Sequence, residues 1–310
     1  MRGPSMHPST PLVSGLIAAL AFMAGAAAFE FGRSTAAADS GPLDVTSESL
    51  VQVSPVIETP IAPAATTQPD LRPVVALVID DAGIDPDLTR RAMALDIPLT
   101  LSFLPYAEAT PELALAAIAG GNSVFLHMPM EPYGLEDPGP GALTRYLLPA
   151  EMARRVNSAL EQVPGAIGLN NHMGSAFTAD AGAIRAALSP LAGRDLIFLD
   201  SLTSGRSRAG RVADELGLIS YRRDIFIDHD AGTVTASLDS LVAAAQRNGH
   251  VIGIGHPRSG TLDALEVWLE SEAAQSVRFV TMADYSTIRQ DTVALAETSD
   301  ETVGLFGGAE

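Results

Sequence analysis

Short apolar runs alternate with longer segments of helical periodicity from about residue 73 to about residue 289. The runs are hydrophobic throughout rather than at every second position, which is typical of strands buried on both faces of a sheet. The predicted strands are Val74–Ile79, Ile97–Phe103, Ser123–His127, Ala166–Leu169, Leu196–Leu199, Leu218–Tyr221, Val251–Ile254 and Val277–Thr281. The segments of helical length include Asp85–Leu95, Pro111–Ala119, Pro149–Gln162, Asp180–Leu191 and Leu238–Arg247.

This alternation predicts the fold class. Strands that are buried on both faces and separated by helices indicate a parallel sheet. About eight such units within about 210 residues favour a (β/α) barrel over an open sheet that binds nucleotides. The glycine fingerprint of such an open sheet is also absent after the first strand. We therefore predict an α/β barrel of about seven or eight parallel strands over residues 73–289, with a flavodoxin-like open sheet as the alternative.

The two ends of the chain differ from this central region. Residues 1–31 contain Arg2 and then an uncharged stretch, which predicts either a signal peptide cleaved near Ala26–Ala28 or an uncleaved helix anchored in the inner membrane. Both alternatives place the rest of the chain on the periplasmic, extracytoplasmic side. Residues 32–72 lack hydrophobic periodicity and are predicted to be a flexible linker, and residues 290–310 an acidic tail.

Charge and missing residue types exclude several functions. The formal net charge of −18 argues against nucleic-acid binding, because a phosphate backbone needs a basic face to neutralise it. The chain has no cysteine, which excludes thiol nucleophiles, disulfides and thiolate metal sites. It also has no lysine, since all 19 basic residues are arginine. Schiff-base chemistry and a phosphate-binding P-loop are therefore excluded.

Polar side chains collect where the predicted strands end. The residues at these positions are Asp80, Asp81, His127, Asn170, Asn171, His172, Asp200 and His256. Because the carboxyl ends of parallel barrel strands meet at one rim, where the active sites of such barrels lie, we expect these side chains to lie close together.

The residue types at this rim favour a metal ion. The adjacent carboxylates of Asp80 and Asp81 repel one another unless a cation or a proton lies between them. They are not needed to cap the next helix, because Asp85 before Pro86 already provides a cap. A carboxylate and two histidines together suit a divalent ion, most of all zinc with open positions for water.

Three other residues could belong to this chemistry or to the scaffold. Glu131, four residues after His127, is a candidate metal ligand, a candidate partner of a ligand, or only a loop residue. His229 and His250 are interpreted as structural or surface residues, the second because it begins a strand rather than ending one.

Six short motifs in this order resemble the divergent branch of the polysaccharide deacetylases: VIDDAG, LHMPMEP, LNNHMGS, FLDS, RRDIFID and GIGHP. They extend over roughly Pro73 to Ile288, and their order and spacing carry the resemblance more than any one of them does. The resemblance implies a deacetylase-like β/α barrel with a metal-dependent active site.

The resemblance also implies a role for each matching residue. Asp80 would be the general base, and Asp81 and His127 would be metal ligands. The family's usual second histidine, four residues after the first, is Glu131 in this chain, and His172 is then the implied replacement ligand.

The residues that would donate a proton or orient the reacting groups depart further from the family pattern. His256 matches the histidine that protonates the leaving amine, but Pro257 stands where the family has an aspartate. The arginine and paired prolines of the family's third motif are missing. The candidates to orient the reacting groups in their place are Asp200, Arg223, Asp224 and Asp228.

The implied activity is zinc-assisted removal of an N-acetyl group from an envelope glycan, with peptidoglycan as the expected substrate. The alternative is an inactive deacetylase-like protein that binds or scaffolds a protein partner in the envelope. A phosphatase with an aspartate pair is disfavoured because such enzymes rely on a lysine. A serine hydrolase is disfavoured because neither Ser175 nor Ser201 lies in a G-x-S-x-G elbow.

Overall fold

The computed structural model describes residues 70–292. Nine strands form one sheet in which every pairing is parallel. The strands are β1 (Val74–Ala82), β2 (Thr100–Phe103), β3 (Ser123–Met130), β4 (Gly168–Met173), β5 (Ile197–Asp200), β6 (Ile219–Arg222), β7 (Ile225–Phe226), β8 (His250–Gly255) and β9 (Arg278–Val280). Their order is β6-β5-β4-β3-β2-β1-β8-β7, and β9 pairs with the first residues of β1.

Helices connect most of the strands and cover the outer face of the sheet. They are α1 (Pro86–Met93), α2 (Thr110–Ala119), α3 (Pro149–Gln162), α4 (Ala181–Leu188), α5 (Ala209–Glu215), α6 (Val234–Asn248), α7 (Ser259–Leu269), α8 (Glu272–Gln275) and α9 (residues 282–292). Short 3-10 turns lie at Ser189–Leu191 and Ala231–Thr233. Asp85 caps α1 as predicted, since its side chain accepts hydrogen bonds from the backbone of Asp87 and Leu88.

The sheet curls until its two edges meet. β6 and β7 stand at opposite ends of the strand order, but only Arg223 and Asp224 separate them in the chain. The backbone N–H of Arg223 donates to Asp200 O at 3.0 Å, and that of Asp224 donates to Ile252 O at 2.9 Å. The extended segment formed by β6, Arg223, Asp224 and β7 therefore pairs first with β5 and then with β8. The predicted parallel (β/α) barrel is confirmed, with this segment joining the two edges of the curled sheet.

Side-chain alternation along the strands separates two apolar cores. In β1, residues such as Val75 and Leu77 pack under the helices, whereas Val74, Ala76 and Val78 face the interior of the barrel. The interior core consists of Val74, Ala76, Val78, Phe125, Ile197, Leu199, Ile252, Ile254, Val280, Met282 and Tyr285. Burial of each large side chain there contributes roughly 1.5–3 kcal/mol. Because Met282 and Tyr285 belong to α9, this helix packs against the interior core.

The same alternation brings polar groups to the interior at the carboxyl end of the strands. Asp80 follows Val78 by two residues, and His127 follows Phe125 by two, so each continues the inward-facing set of its strand. The interior therefore changes from apolar to polar towards the rim where the candidate site lies.

Several predicted boundaries were wrong. β3 and β4 extend to Met130 and Met173, beyond the predicted ends at His127 and Leu169, because the two strands still pair there, as Pro129 does with His172. β2 begins at Thr100, later than predicted. The segment at Ile225–Phe226 was not predicted as a strand.

The predicted terminal regions lie largely outside the described residues. These are the signal peptide or anchor at residues 1–31, nearly all of the linker at residues 32–72, and the tail from residue 293. The first residues assigned to the tail, 290–292, belong instead to α9. Within residues 70–292, no helix has both the length and the apolar composition needed to cross a membrane.

Candidate metal centre and active site

The backbone at Asp81 turns two adjacent carboxylates towards one site. Neighbouring residues of a strand point to opposite faces, so a regular β1 would send Asp81 outward under the helices. Asp81 instead has a φ of 57°, and the pairing of β1 with β2 shifts register between Ile79 and Ala82. This left-handed conformation costs about 1 kcal/mol or more, and aspartate tolerates it better than most residues do.

The glycine of the VIDDAG motif belongs to the same turn. Gly83 has a φ of 96°, and a Cβ atom there would lie 2.4 Å from Thr110 Oγ1. Any other residue would therefore clash with the start of α2 as well as strain the backbone.

Asp81, His127 and His172 converge on one point. Asp81 Oδ1 lies 2.9 Å from His172 Nδ1 and 3.3 Å from His127 Nε2. The two ring nitrogens are 3.3 Å apart. A tetrahedral zinc ion with bonds of about 2.05 Å spaces its ligand atoms about 3.3 Å apart. The three atoms therefore stand close to the spacing that zinc ligands adopt, and they are the one group of metal-ligand side chains found within residues 70–292.

The hydrogen bonding of Asp81 also fits a cation. Asp81 Oδ1 is buried and has no hydrogen bond of acceptable geometry, although both ring nitrogens are near it. Burial alone would raise the pKa of Asp81, but its contacts with His127 and His172 hold that pKa well below the usual range. An ionised carboxylate with an unsatisfied oxygen beside two imidazoles is a suitable position for a divalent ion.

Asp80 lies in the buried part of the site and is 2% exposed. Its Oδ1 accepts a hydrogen bond from Asn170 Nδ2 at 2.8 Å, and its Oδ2 lies 3.6 Å from His127 Nε2. Burial raises the pKa of Asp80 above its ordinary value, against the opposing attraction of His127 and His256. Conversely, burial alone would lower the pKa of His127, but the charges of Asp80 and Asp81 raise it.

His256 lies on the other side of Asp81 and is held by Asp228. His256 Nδ1 is 3.0 Å from Asp228 Oδ1, and the His256 backbone N–H donates to Asp228 Oδ2 at 2.8 Å. Thr261 Oγ1 donates to the same oxygen at 2.9 Å. These contacts direct His256 Nε2 towards Asp81, whose Oδ2 lies 3.8 Å away. Burial alone would raise the pKa of Asp228, but the hydrogen bonds and charge of His256 lower it.

Glu131 pairs with an arginine and not with the proposed metal ligands. Its carboxylate accepts hydrogen bonds from the backbone N–H and from Nη2 of Arg145, both at 2.8 Å. The hydrogen bond from Arg145 lowers the pKa of Glu131. This ion pair ties the strand end to the loop that follows it, and the cluster of ligand atoms contains His172 rather than Glu131.

The remaining candidate orienting residues divide into scaffold and site. Asp200 accepts hydrogen bonds from Ser207 Oγ and the Leu202 backbone, and Asp224 accepts one from the Ile252 backbone, so both hold the chain around them. Arg223 reaches the rim, where its Nε donates to Ser201 O at 2.8 Å. Asp228 alone among the four contacts His256.

The two histidines interpreted as structural or surface residues lie apart from the metal group. His229 is exposed. His250 begins β8, at the opposite end of that strand from His256, where its Nδ1 lies 2.9 Å from the Tyr285 hydroxyl.

Asn170 was predicted to lie at the rim, but no role in the site was predicted for it. It is fully buried between Asp80 and His127 and contacts both. The alternation of β4 could have revealed it, because Asn170 shares the inward face of the strand with His172.

Known proteins share both the sequence pattern and the fold. The uncharacterised protein YibQ of Escherichia coli is 31% identical over 204 residues, which cover 65% of this chain and 64% of that protein, so the chain spans slightly less than two thirds of it. An uncharacterised protein of Haemophilus influenzae is 34% identical over 199 residues, covering 64% and 71% respectively. The crystal structure of an uncharacterised protein from Agrobacterium tumefaciens has a TM-score of 0.66 at 23% identity, covering 70% of this chain and 91% of that one.

The family comparison covers nearly all of the barrel. The model of the family described as "Divergent polysaccharide deacetylase" matches residues 77–285, which include Asp80, Asp81, His127, His172 and His256. The match extends over more than half of the 310 residues, and the chain belongs to the divergent polysaccharide deacetylase family.

Proposed function

We propose that the protein is a metal-dependent hydrolase that removes acetyl groups from an N-acetylated glycan. The observation that carries this proposal is the convergence of Asp81 Oδ1, His127 Nε2 and His172 Nδ1 within 3.3 Å of one another, next to a buried carboxylate. Membership of the family supports a glycan as the substrate class.

Asp81, His127 and His172 would hold the ion. When bound, a zinc ion supplies Lewis-acid polarisation of the acetyl carbonyl and lowers the pKa of water at the site. Asp80 accepts the proton of the attacking water, and its burial raises its pKa towards the range in which a carboxylate is an effective base. His256 donates a proton to the departing sugar amine, with Asp228 fixing the orientation of its ring. The C–N bond breaks, and acetate and a free amine are released.

Acetate release tests this proposal. Purified protein with one equivalent of zinc should release acetate from chito-oligosaccharides or from peptidoglycan strands. Asp80→Asn should lower kcat by about a hundredfold or more, because it removes the general base. Asp96→Asn is the matched control, since this exposed aspartate lies before β2 at the other end of the sheet and should keep full activity.

A binding or scaffolding role in the envelope is the second candidate. It is favoured by Glu131, which stands where the family has its second histidine but pairs with Arg145. Wild-type protein that holds zinc and releases no acetate from any glycan tested would support this role over catalysis.

We also propose that the chain is exported and acts on peptidoglycan in the envelope. The support is the apolar stretch within residues 1–31, which lies outside the described residues. A C-terminal fusion of the full chain to an alkaline phosphatase, which is active only outside the cytoplasm, should be active. Deletion of residues 1–31 should abolish that activity, and a fusion that stays active without them would contradict export through this segment.

A further inference from the structure

Asn170 makes hydrogen bonds with four side chains from four parts of the barrel. Its Nδ2 lies 2.8 Å from Asp80 Oδ1 and 3.1 Å from Ser201 Oγ. Its Oδ1 lies 2.7 Å from His127 Nδ1 and also contacts Ser102 Oγ. Asn170 and Ser102 are fully buried, so water cannot replace these partners.

The chemistry of the neighbours fixes which way the amide faces. An ionised carboxylate only accepts hydrogen bonds, so the end of Asn170 that faces Asp80 must be the NH₂ group. The carbonyl oxygen then faces His127, and it can only accept. His127 must therefore carry a proton on Nδ1, and its Nε2 is the ring nitrogen that faces Asp81 Oδ1, 3.3 Å away.

We infer that Asn170 is a positioning residue that holds the base Asp80 and the ligand His127 in register with one another. This inference rests on the proposed function, since it assigns Asn170 a role towards the metal ligand and the general base. A histidine that binds a metal usually donates its other ring N–H to an oxygen that fixes the ring, and here that oxygen belongs to the side chain that also holds the base.

Two serines hold the amide in place, whereas Asp80 and His127 set which of its ends faces which side. Ser102 lies on β2 and Ser201 directly follows β5, so they hold Asn170 from both sides of β4. Rotation of the amide by 180° would place its carbonyl oxygen against the carboxylate of Asp80 and its NH₂ group against the N–H of His127, and both contacts would be repulsive.

Two substitutions distinguish the contact of Asn170 with Asp80 from its contact with His127. Asn170→Asp keeps an acceptor for His127 Nδ1–H but replaces the amide donor to Asp80 with a carboxylate oxygen, which repels Asp80. Asn170→Leu removes both. The matched control is Asn122→Leu, which removes a buried asparagine directly before β3. Its Oδ1 accepts from the Leu99 backbone N–H directly before β2, away from the rim. Circular dichroism melting shows which variants are folded, and Asn170→Asp keeps the inference testable if Asn170→Leu does not fold.

The first measurement needs no metal. Nitrogen-15 spectra of the imidazoles in metal-free protein, with His127 assigned from a His127→Gln sample, report a hydrogen-bonded Nδ1–H as a downfield ring proton. We expect this signal in wild type and in Asn170→Asp. We expect it to lose its downfield shift in Asn170→Leu.

Zinc affinity and turnover are then measured on the same proteins. Asn170→Leu should weaken the zinc Kd by about 10- to 100-fold, whereas Asn170→Asp should bind zinc at least as tightly as wild type. Asn170→Asp should still lose kcat, because the donor to Asp80 is gone. A downfield His127 signal and a wild-type zinc Kd in Asn170→Leu would overturn the inference. If wild type fails to bind zinc, the proposed function falls, and the imidazole spectra still decide the role of Asn170.

Discussion

The side chains of the candidate centre lack partners that would satisfy them in the absence of a cation. Asp81 Oδ1 is buried without a hydrogen bond of good geometry, although His127 Nε2 lies 3.3 Å away and His172 Nδ1 lies 2.9 Å away. A buried carboxylate oxygen without a hydrogen bond is unfavourable unless a cation lies beside it. For this reason, substitutions of single ligands should affect metal binding far more than they affect folding.

We expect Asp81→Ala, His127→Ala and His172→Ala each to reduce zinc content from one ion per chain to a small fraction, because each removes one of three converging ligand atoms. Elemental analysis after dialysis measures this. Glu131→Gln is the control that should keep its zinc, since Glu131 pairs with Arg145. Full zinc content after any of the three alanine substitutions would remove that residue from the site.

The pair of Asp228 and His256 should affect turnover without affecting metal binding. Asp228→Asn keeps the size of the side chain but loses the charge that holds His256 Nδ1–H, 3.0 Å away. By comparison with other histidines oriented by an aspartate, we expect kcat to fall by about 10²- to 10⁴-fold. Zinc content should stay at the wild-type value, and loss of zinc in Asp228→Asn would show that this pair supports the metal ligands instead.

Among the structural elements, the loop from Glu131 to Leu148 follows β3 at the carboxyl end of the sheet. Its exposed apolar side chains are Tyr133, Leu135, Tyr146 and Leu148. The Glu131–Arg145 ion pair fixes its two ends, and the Tyr133 backbone donates to Ser175 Oγ at 2.9 Å. The contacts with Arg145 and Ser175 therefore restrain a loop that otherwise exposes much of its apolar surface.

We expect Glu131→Gln to loosen this loop, since the ion pair is only 18% exposed on the glutamate side and 32% on the arginine side. Limited proteolysis should cleave within residues 132–147 several times faster than in wild type, with little change in the melting temperature. Asp87→Asn, which breaks an exposed ion pair with Arg90 on α1, is the control and should leave cleavage unchanged. Equal cleavage of Glu131→Gln and wild type would show that the loop is held by other contacts.

The elements could be predicted from the sequence more fully than the site could. Uniformly apolar runs and intervening helical segments were sufficient for the parallel barrel, because each depends on local periodicity. The orientation of Asp81 was not predictable in this way, since it depends on a left-handed backbone within a strand. The partner of Glu131 is 14 residues away and that of Asn170 is 90 residues away, so neither follows from local pattern.

At the scale of the whole molecule, the two ends of the barrel have different chemistry. The carboxyl end of the strands carries the charged groups, whereas the amino end is packed with Met282 and Tyr285 of α9. At that end His250 Nδ1 lies 2.9 Å from the Tyr285 hydroxyl. Burial and the nearby charge of Arg289 lower the pKa of His250, while burial raises that of Tyr285.

His250 should therefore make the stability of the barrel depend on pH. Its pKa is lower in the folded protein than the value of about 6.5 in the unfolded chain, so the unfolded chain binds more protons in the interval between the two values. The stability from His250 is complete above about pH 6.5 and is lost as the pH falls below it. Melting temperatures of metal-free protein between about pH 8 and pH 5 should fall more steeply for wild type than for His250→Asn. The substitution of the exposed His229, His229→Asn, is the control and should follow wild type. If the melting temperature changes equally with pH in wild type and in His250→Asn, His250 is not neutral in the folded protein.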